Sequence, residues 1–198
     1  MAKKTSNIFK SLELEALKAG ITPRTKESQA WFRKQASKLG SINKTKLLND
    51  KRLTKESDTV VGTMQMFFYN PKHKKTLPFY DKFPLTIIVG PAKDGFYGLN
   101  LHYLPPVLRA KLLDALLGIT NNNKFNDTTK FKLSYDMLRT VGAMKYYKPC
   151  LKHYLNDHVS SHFARVSAPD FEIAVFLPTA SWSGASESAV YKNSRKQI

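Results

Sequence analysis

Cysteine is nearly absent: Cys150 is the sole one in 198 residues. That excludes an intrachain disulfide and any zinc site built on several thiolates. A lone thiol suits a protein made in a reducing cytoplasm. Cys150 follows Pro149 at what reads as a helix start, a place that lowers a thiol pKa; a buried structural thiol is the simpler account. Long apolar runs are missing too. None approaches the roughly 20 residues that cross a bilayer, so no membrane partner is expected. Met1-Ala2-Lys3-Lys4 is basic, but Ile8 to Ala19 alternates charge with leucine, so no signal peptide is expected either. There is no Walker loop, dinucleotide fingerprint, GxSxG elbow or Cys/His catalytic signature, which leaves no cofactor to expect.

Acid is scarce as well, with 15 Asp and Glu against 32 Lys and Arg, a net charge of +17. A surplus this large repels itself unless a polyanion is near, which makes nucleic acid or an acidic protein surface the first partner to consider. Apolar residues make up 42% of the chain, enough for a real core in one domain, with or without an appendage.

Charge density is highest over residues 1–58, where 14 Lys and Arg face 6 Asp and Glu, a net of +8. Ser6 reads as the cap of a first helix with Leu12, Ala16 and Ala19 near one face and Gly20 as its stop. Pro23 opens a second helical stretch ending at Gly40, whose large apolar residues are Trp31 and Phe32. We expect a basic helical arm over 1–58 that docks on the body or on a partner, with Ser41 to Asp58 open to disorder.

A core domain over 59–180 follows. Val60 to Tyr69 reads as a strand. The basic loop Lys72-His73-Lys74-Lys75 comes next, then an irregular aromatic segment bracketed by Pro78 and Pro84. Leu85 to Val89 is a short strand, Gly90 to Gly95 a turn, and Phe96 to Tyr103 another strand. Gly98 marks a bulge or a close backbone approach. Pro105 and Pro106 start a helix with Leu108, Leu112, Leu113, Leu116 and Leu117 on its apolar face, Arg109, Lys111 and Asp114 largely outward, and Gly118 as its end. Asn121 to Asp127 reads as a loop, Ser134 caps a short helix, Pro149 opens another through about Arg165, and Asp170 to Leu177 is a final strand. Residues 181–198, with Trp182, read as an exposed C-terminal extension. The fold class expected is α+β: a small, strongly bent antiparallel sheet, barrel-like, with packed helices.

The lysines of the 72–75 loop stand between aromatic segments, a pairing that clamps phosphates while rings stack on bases. For Phe67, Phe68, Phe79, Tyr80 and Phe83 a core role is the stronger reading. Lys145, Lys148, Lys152 and Arg165, with Tyr146, Tyr147 and Tyr154, form a second basic-aromatic cluster in which Lys148 and Lys152 lie one helical turn apart. Asp81 and Asp94 are isolated carboxylates and weak candidates for a metal-dependent nuclease. His158 and His162, four apart on the expected helix, read as surface histidines rather than metal ligands. His102 reads as a histidine that secures a loop through hydrogen bonds.

Two blocks, LPFYDKFPL (Leu77 to Leu85) and GFYGLNLHYLPP (Gly95 to Pro106), resemble the DNA end protector proteins of T-even-type tailed bacteriophages and their cyanophage relatives. The resemblance continues through PPVLRAKLLDALL, YYKPCLKHYL and FEIAVFLP, and covers roughly residues 60 to 195. It implies a non-catalytic virion protein, assembled in the host cytoplasm, that binds the terminus of packaged linear double-stranded DNA near the head–tail junction. It also implies other neck or tail proteins as neighbours. The expected phosphate contacts are Lys72, Lys74, Lys75, Arg109, Lys111, Lys145, Lys148 and Lys152, with no catalytic and no metal residues. The rival expectation is a structural connector of the neck, tail or baseplate whose basic surfaces meet acidic proteins.

Overall fold

The computed structural model describes residues 7–120 and 147–197, with the backbone alone for 116–120. Ser6, the 121–127 loop, the Ser134 helix, Lys145 and Tyr146 lie outside the described residues.

Three helices open the chain: α1 (Ile8–Lys18), α2 (Lys26–Ala36) and α3 (Lys44–Leu48). Asn7 caps α1 by accepting the Lys10 N–H. Gly20, at φ +68°, lets the chain close the helix with Gly20 N–H to Leu17 C=O and Ile21 N–H to Ala16 C=O. That is the glycine stop expected of a Schellman ending. In α2, Thr25 and Ser28 exchange side chain and backbone bonds in a capping box.

These helices are no free arm, since of the two docking partners open to them they take the body. Phe9, Leu12, Ala16, Phe32, Ala36, Leu47 and Leu48 are buried in the same cluster as the sheet residues Met64, Leu85, Ile87 and Val166. Each such burial is worth roughly 1.5–3 kcal/mol for a large apolar side chain. The stretch Ser41 to Asp58 is ordered by α3 and by β1 (Thr54–Glu56), which joins the main sheet.

That sheet also contains β2 (Met64–Met66), β4 (Leu85–Ala92), β5 (Gly95–Asn100), β6 (Leu151–Leu155) and β7 (Phe163–Val166). Its order is β1-β7-β2-β4-β5-β6, and every pairing is antiparallel. It is an open sheet with β1 and β6 as edges rather than a closed barrel. A separate two-stranded ribbon joins β3 (Tyr80–Asp81) to β8 (Trp182–Ser183).

Period-two alternation divides the strands between two clusters. Ile87, Ala164 and Val166 face the helical core, while Ile88, Phe96, Tyr154 and Phe163 form an aromatic cluster with Phe67 and Tyr69. The extra residue of a bulge lies between Ile88 and Gly90 on β4, and the pairing runs on through Ala92, where a turn was expected. The reversal is tighter, at Lys93 and Asp94, with Asp94 at φ +59°. Gly98 is a close approach instead: a Cβ there would stand 2.2 Å from Thr86 Cγ2.

The helix α4 (Pro106–Thr120) runs past Gly118 instead of stopping there. The helix expected from Pro149 to Arg165 is absent. Short 3-10 turns at Lys148–Cys150 and Asn156–His158 stand on either side of β6, and β7 follows. Pairing with the free edge of β5, from Leu99–Leu151 to Gly95–Leu155, outweighs the proline start signal. The expected strand at 170–177 is the helix α5 (Phe171–Phe176). A six-residue apolar run does not distinguish the two states by period. The decisive element is the turn Ala168–Asp170, in which the Ser167 hydroxyl donates to Asp170 Oδ2 at 2.9 Å. The tail is not an exposed extension either. Trp182 packs edge-on against Tyr103 at 4.8 Å, and Val190 of α6 (Glu187–Lys196) is fully buried.

Candidate nucleic-acid interface

A buried polar hub fixes the segment between Pro78 and Pro84. Asp81 Oδ1 accepts the N–H groups of Phe83 and Ser181, each at 3.0 Å. Its Oδ2 accepts Asn100 Nδ2 at 3.1 Å and meets His102 Nδ1 at 2.6 Å. His102 Nε2 lies 3.1 Å from Thr179 Oγ1, and Asn100 Nδ2 reaches the Tyr154 hydroxyl at 3.1 Å. Burial pushes the Asp81 carboxyl up, but the His102 charge and the hydrogen bonds from His102, Phe83 and Ser181 outweigh it and hold it below its ordinary value. His102 and Thr179 are both 0% exposed, so this Asp–His–Thr string presents no hydroxyl to a substrate. With both Asp81 oxygens occupied, the hub has no open position for a metal. Among the described residues no group of three His, Cys, Asp or Glu side chains is placed to hold one.

Above the hub opens a cleft of about 520 Å³. One wall is Leu77, Pro78, Phe79 and Tyr80; another is Lys152, His153 and Tyr154 on β6. Tyr103 lies between them, Lys72 and His73 stand at the loop side, and Asn193 and Gln197 come from the end of α6. Three of the sequence blocks singled out above, those beginning at Leu77, Gly95 and Tyr146, therefore meet at one cavity.

The rings are locked from behind. Phe79 meets Trp182 edge-on at 6.1 Å, and Tyr103 meets the same indole at 4.8 Å. Lys152 Nζ sits 4.0 Å above the centre of the Tyr103 ring. Burial lowers the Lys152 pKa, partly offset by Cys150 beneath. Burial likewise pushes the Cys150 thiol up to about 12, which keeps it a neutral structural thiol.

The eight expected contact residues separate on this geometry. Lys72 and Lys152 line the cleft together. Lys74 and Lys75 are exposed on the same loop as Lys72, with Lys74 Nζ on Asn70 Oδ1 at 3.1 Å. Lys111 on α4 and Lys148 are exposed, and neither lines the cleft. With Lys152 on a strand, the helical stripe pairing it with Lys148 does not exist.

Arg109 is the correction. It is 5% exposed, and its guanidinium serves the carbonyls of Leu104 at 2.7 Å, Val175 at 3.3 Å and His102 at 3.4 Å, and the Tyr191 hydroxyl at 2.8 Å. It ties α4 to α5 and α6 and offers nothing to a phosphate. His158 and His162 share no helix face: they bond the carbonyls of Asn70 at 2.8 Å and Leu48 at 3.0 Å.

Of the five rings weighed as core, Phe67 and Phe83 are fully buried and Phe68 packs on Phe83, while Phe79 and Tyr80 are half-buried at the cleft. Sequence reasoning missed Tyr103, His153, Asn193 and Gln197. No local signal marks the last two, because a helix packed from the far end of the chain delivers them.

The chain matches the family model of the phage T4 terminal DNA protecting protein over residues 5–196. No curated protein and no solved structure matches it. The protein belongs to that phage family, and the match takes in the N-terminal helices that the sequence blocks left outside.

Proposed function

We propose that this protein binds the terminus of packaged linear double-stranded DNA near the head–tail junction of the virion and shields it from exonuclease, without catalysis. The observation that carries the reading is the cleft where the family's sequence blocks converge on rings and lysines. Membership of a terminal DNA protecting family supports a DNA end as the partner. Lys72, Lys74 and Lys75 neutralise phosphates at the cleft mouth, and the exposed Lys111 and Lys148 extend the basic surface. Lysine contacts of this kind release counterions without reading bases, so binding is sequence-independent and strongly salt-sensitive. The body of the protein covers the end, and an exonuclease has no free terminus to thread.

Exonuclease protection of a blunt linear duplex tests the reading, with a covalently closed circle of the same sequence as competitor at several salt concentrations. Protection that the circle fails to compete away supports end binding. Equal competition by the circle reduces the protein to a general polyanion binder.

One observation favours a connector as the second reading. On α1, Leu17 is 73% and Leu14 44% exposed, beside an apolar groove of about 340 Å³ that also includes Pro23 and Phe32. Because α1 and α2 complete the core, Leu14→Ser with Leu17→Ser separates the readings more cleanly than deleting the helices. Lost particle assembly with exonuclease protection intact favours the connector.

A further inference from the structure

We infer that the cleft receives the terminal nucleotide of a DNA strand, with its 5′-phosphate on the Lys152 ammonium and its base against the Phe79 and Tyr80 rings. This rests on the reading that the chain binds a DNA end and names the part of the end it holds.

The starting point is a cation without an answer. Lys152 is half-buried on β6, opposite Gly98, and among the described residues no carboxylate or hydrogen-bond acceptor meets its ammonium. Its one close partner is the face of Tyr103. Among the described residues the arginines drawn in from the surface are satisfied: Arg109 by three carbonyls and a hydroxyl, Arg52 by Glu13 and Asp170, Arg165 by Glu56. Asp81 is the carboxylate in the cleft wall, and both of its oxygens are committed to the hub. Partial burial strips an ammonium of some of its water, a cost that an arriving anion would offset. The depressed Lys152 pKa is the same strain seen from the proton's side.

Size and shape then select the anion. About 520 Å³ falls in the range of roughly 300–1,000 Å³ that holds a drug-sized molecule, the class of one nucleotide and not of an intact duplex end. The ring wall suits any base, since every base has a π-face, and it imposes no sequence preference. Lys72 and His73 at the loop side stand where the next phosphates would pass.

The geometry also explains why an end would be chosen. An interior nucleotide enters only if it is extruded with both neighbours attached, breaking stacking on both sides, and extrusion is easiest for a base already unpaired. A terminal nucleotide breaks one stack. A terminal phosphate monoester also carries about −1.5 to −2 charge at pH 7, more than the single charge of a backbone diester. An unpaired, half-buried ammonium rewards that difference.

The test uses the full chain and a dye-labelled DNA hairpin with one duplex end, made with a 5′-phosphate or a 5′-hydroxyl, and an endless dumbbell of the same stem. Affinities are read by fluorescence anisotropy. The wild type is expected to bind the phosphorylated hairpin about tenfold tighter than the hydroxyl form, the factor of one charge-assisted hydrogen bond. Lys152→Met should lose that preference, while Lys152→Arg retains it; thermal melting confirms that each variant is folded. If the wild type binds dumbbell and hairpin alike, end binding and this inference fall together. If it prefers the hairpin regardless of the 5′ group, or if a folded Lys152→Met keeps the phosphate preference, the cleft assignment is overturned and end binding stands. The comparison of the two 5′ groups needs only the wild type, so a missing phosphate preference overturns the inference even if a variant fails to fold.

Discussion

Two cation-rich regions of this molecule treat their charges in opposite ways. Where the N-terminal helices meet the body, the arginines near the core are met by carboxylates. Arg52 bridges Glu13 and Asp170, the latter at 2.9 Å, and Arg165 reaches Glu56 at 3.0 Å across β1 and β7. At the cleft, Lys152 and Lys72 have no acidic partner among the described residues. Charge density is highest in the first region, yet its apolar residues are committed to docking and its inner arginines to ion pairs. What points to a ligand is therefore the satisfaction of the charges, not their number.

The largest expected effect breaks the hub that holds the cleft wall. Asp81→Ala takes from His102 its charged partner and from Phe83 N–H, Ser181 N–H and Asn100 Nδ2 a shared acceptor, and should cost about 3–5 kcal/mol in urea denaturation. Arg52→Met breaks a partly exposed pair with Glu13 and leaves the buried Asp170 carboxylate without its cation, so it should cost less, about 1–3 kcal/mol. Equal losses would erase the contrast between a built site and a docked surface.

Glycine substitutions sharpen the contrast at a smaller scale. A Cβ at Gly95 would stand 1.8 Å from the Tyr154 carbonyl oxygen, so Gly95→Ala should lose about 1–3 kcal/mol by forcing β5 and β6 apart. At Gly40, between α2 and α3, nothing lies within 4 Å, and Gly40→Ala should gain about 0.4–1 kcal/mol. The same melting experiment reads both. A tolerated Gly95→Ala would mean that the cleft wall is not rigid.

The two regions should also diverge in acid. The folded pKa of Asp81 is depressed, so its contribution is present above the ordinary value of 3.8 and is lost as pH falls through the lower folded value. Glu172, which accepts the Arg24 N–H at 3.0 Å and the Ser28 hydroxyl, is raised by burial above 4.5. Its contribution is present below 4.5 and is lost as pH rises through the raised value. Melting temperature followed from pH 6 downward should therefore fall more steeply toward acid in Glu172→Gln than in the wild type. It should fall less steeply in Asp81→Asn at the lowest pH. Parallel profiles would show that neither carboxyl controls its region.

Much of this was legible in the residues. The first two helices, the β4–β5 pair, the close approach at Gly98, the structural thiol and the bonding role of His102 all follow from local chemistry, although the caps are Asn7 and Thr25 where Ser6 and Pro23 were expected. The segments 149–165 and 170–177 were misread because their states are set from a distance. An open edge of β5 recruits β6, and a buried Glu172 bonded to α2 requires the turn that α5 supplies. Arg109 could not be placed from its own helix, because the carbonyls it serves belong to Leu104, His102 and Val175. The cleft itself is a product of chain crossing, since its walls come from residues 77–81, 103, 152–155 and 193–197.

The smallest effect separates the regions by sign. Arg52 stabilises the fold through its pairs, whereas Lys152 is carried against a desolvation cost that burial imposes and the Tyr103 ring only partly offsets. Lys152→Met keeps the stem that packs in the cleft and removes the charge, so it should leave stability unchanged or raise it by up to about 1 kcal/mol. Urea denaturation in the absence of DNA measures this directly. A loss comparable to that of Arg52→Met would mean the ammonium has a structural partner, and the argument for an incoming anion would go with it. A gain in stability together with a loss of 5′-phosphate preference would identify a charge held in place for its ligand at the expense of the fold.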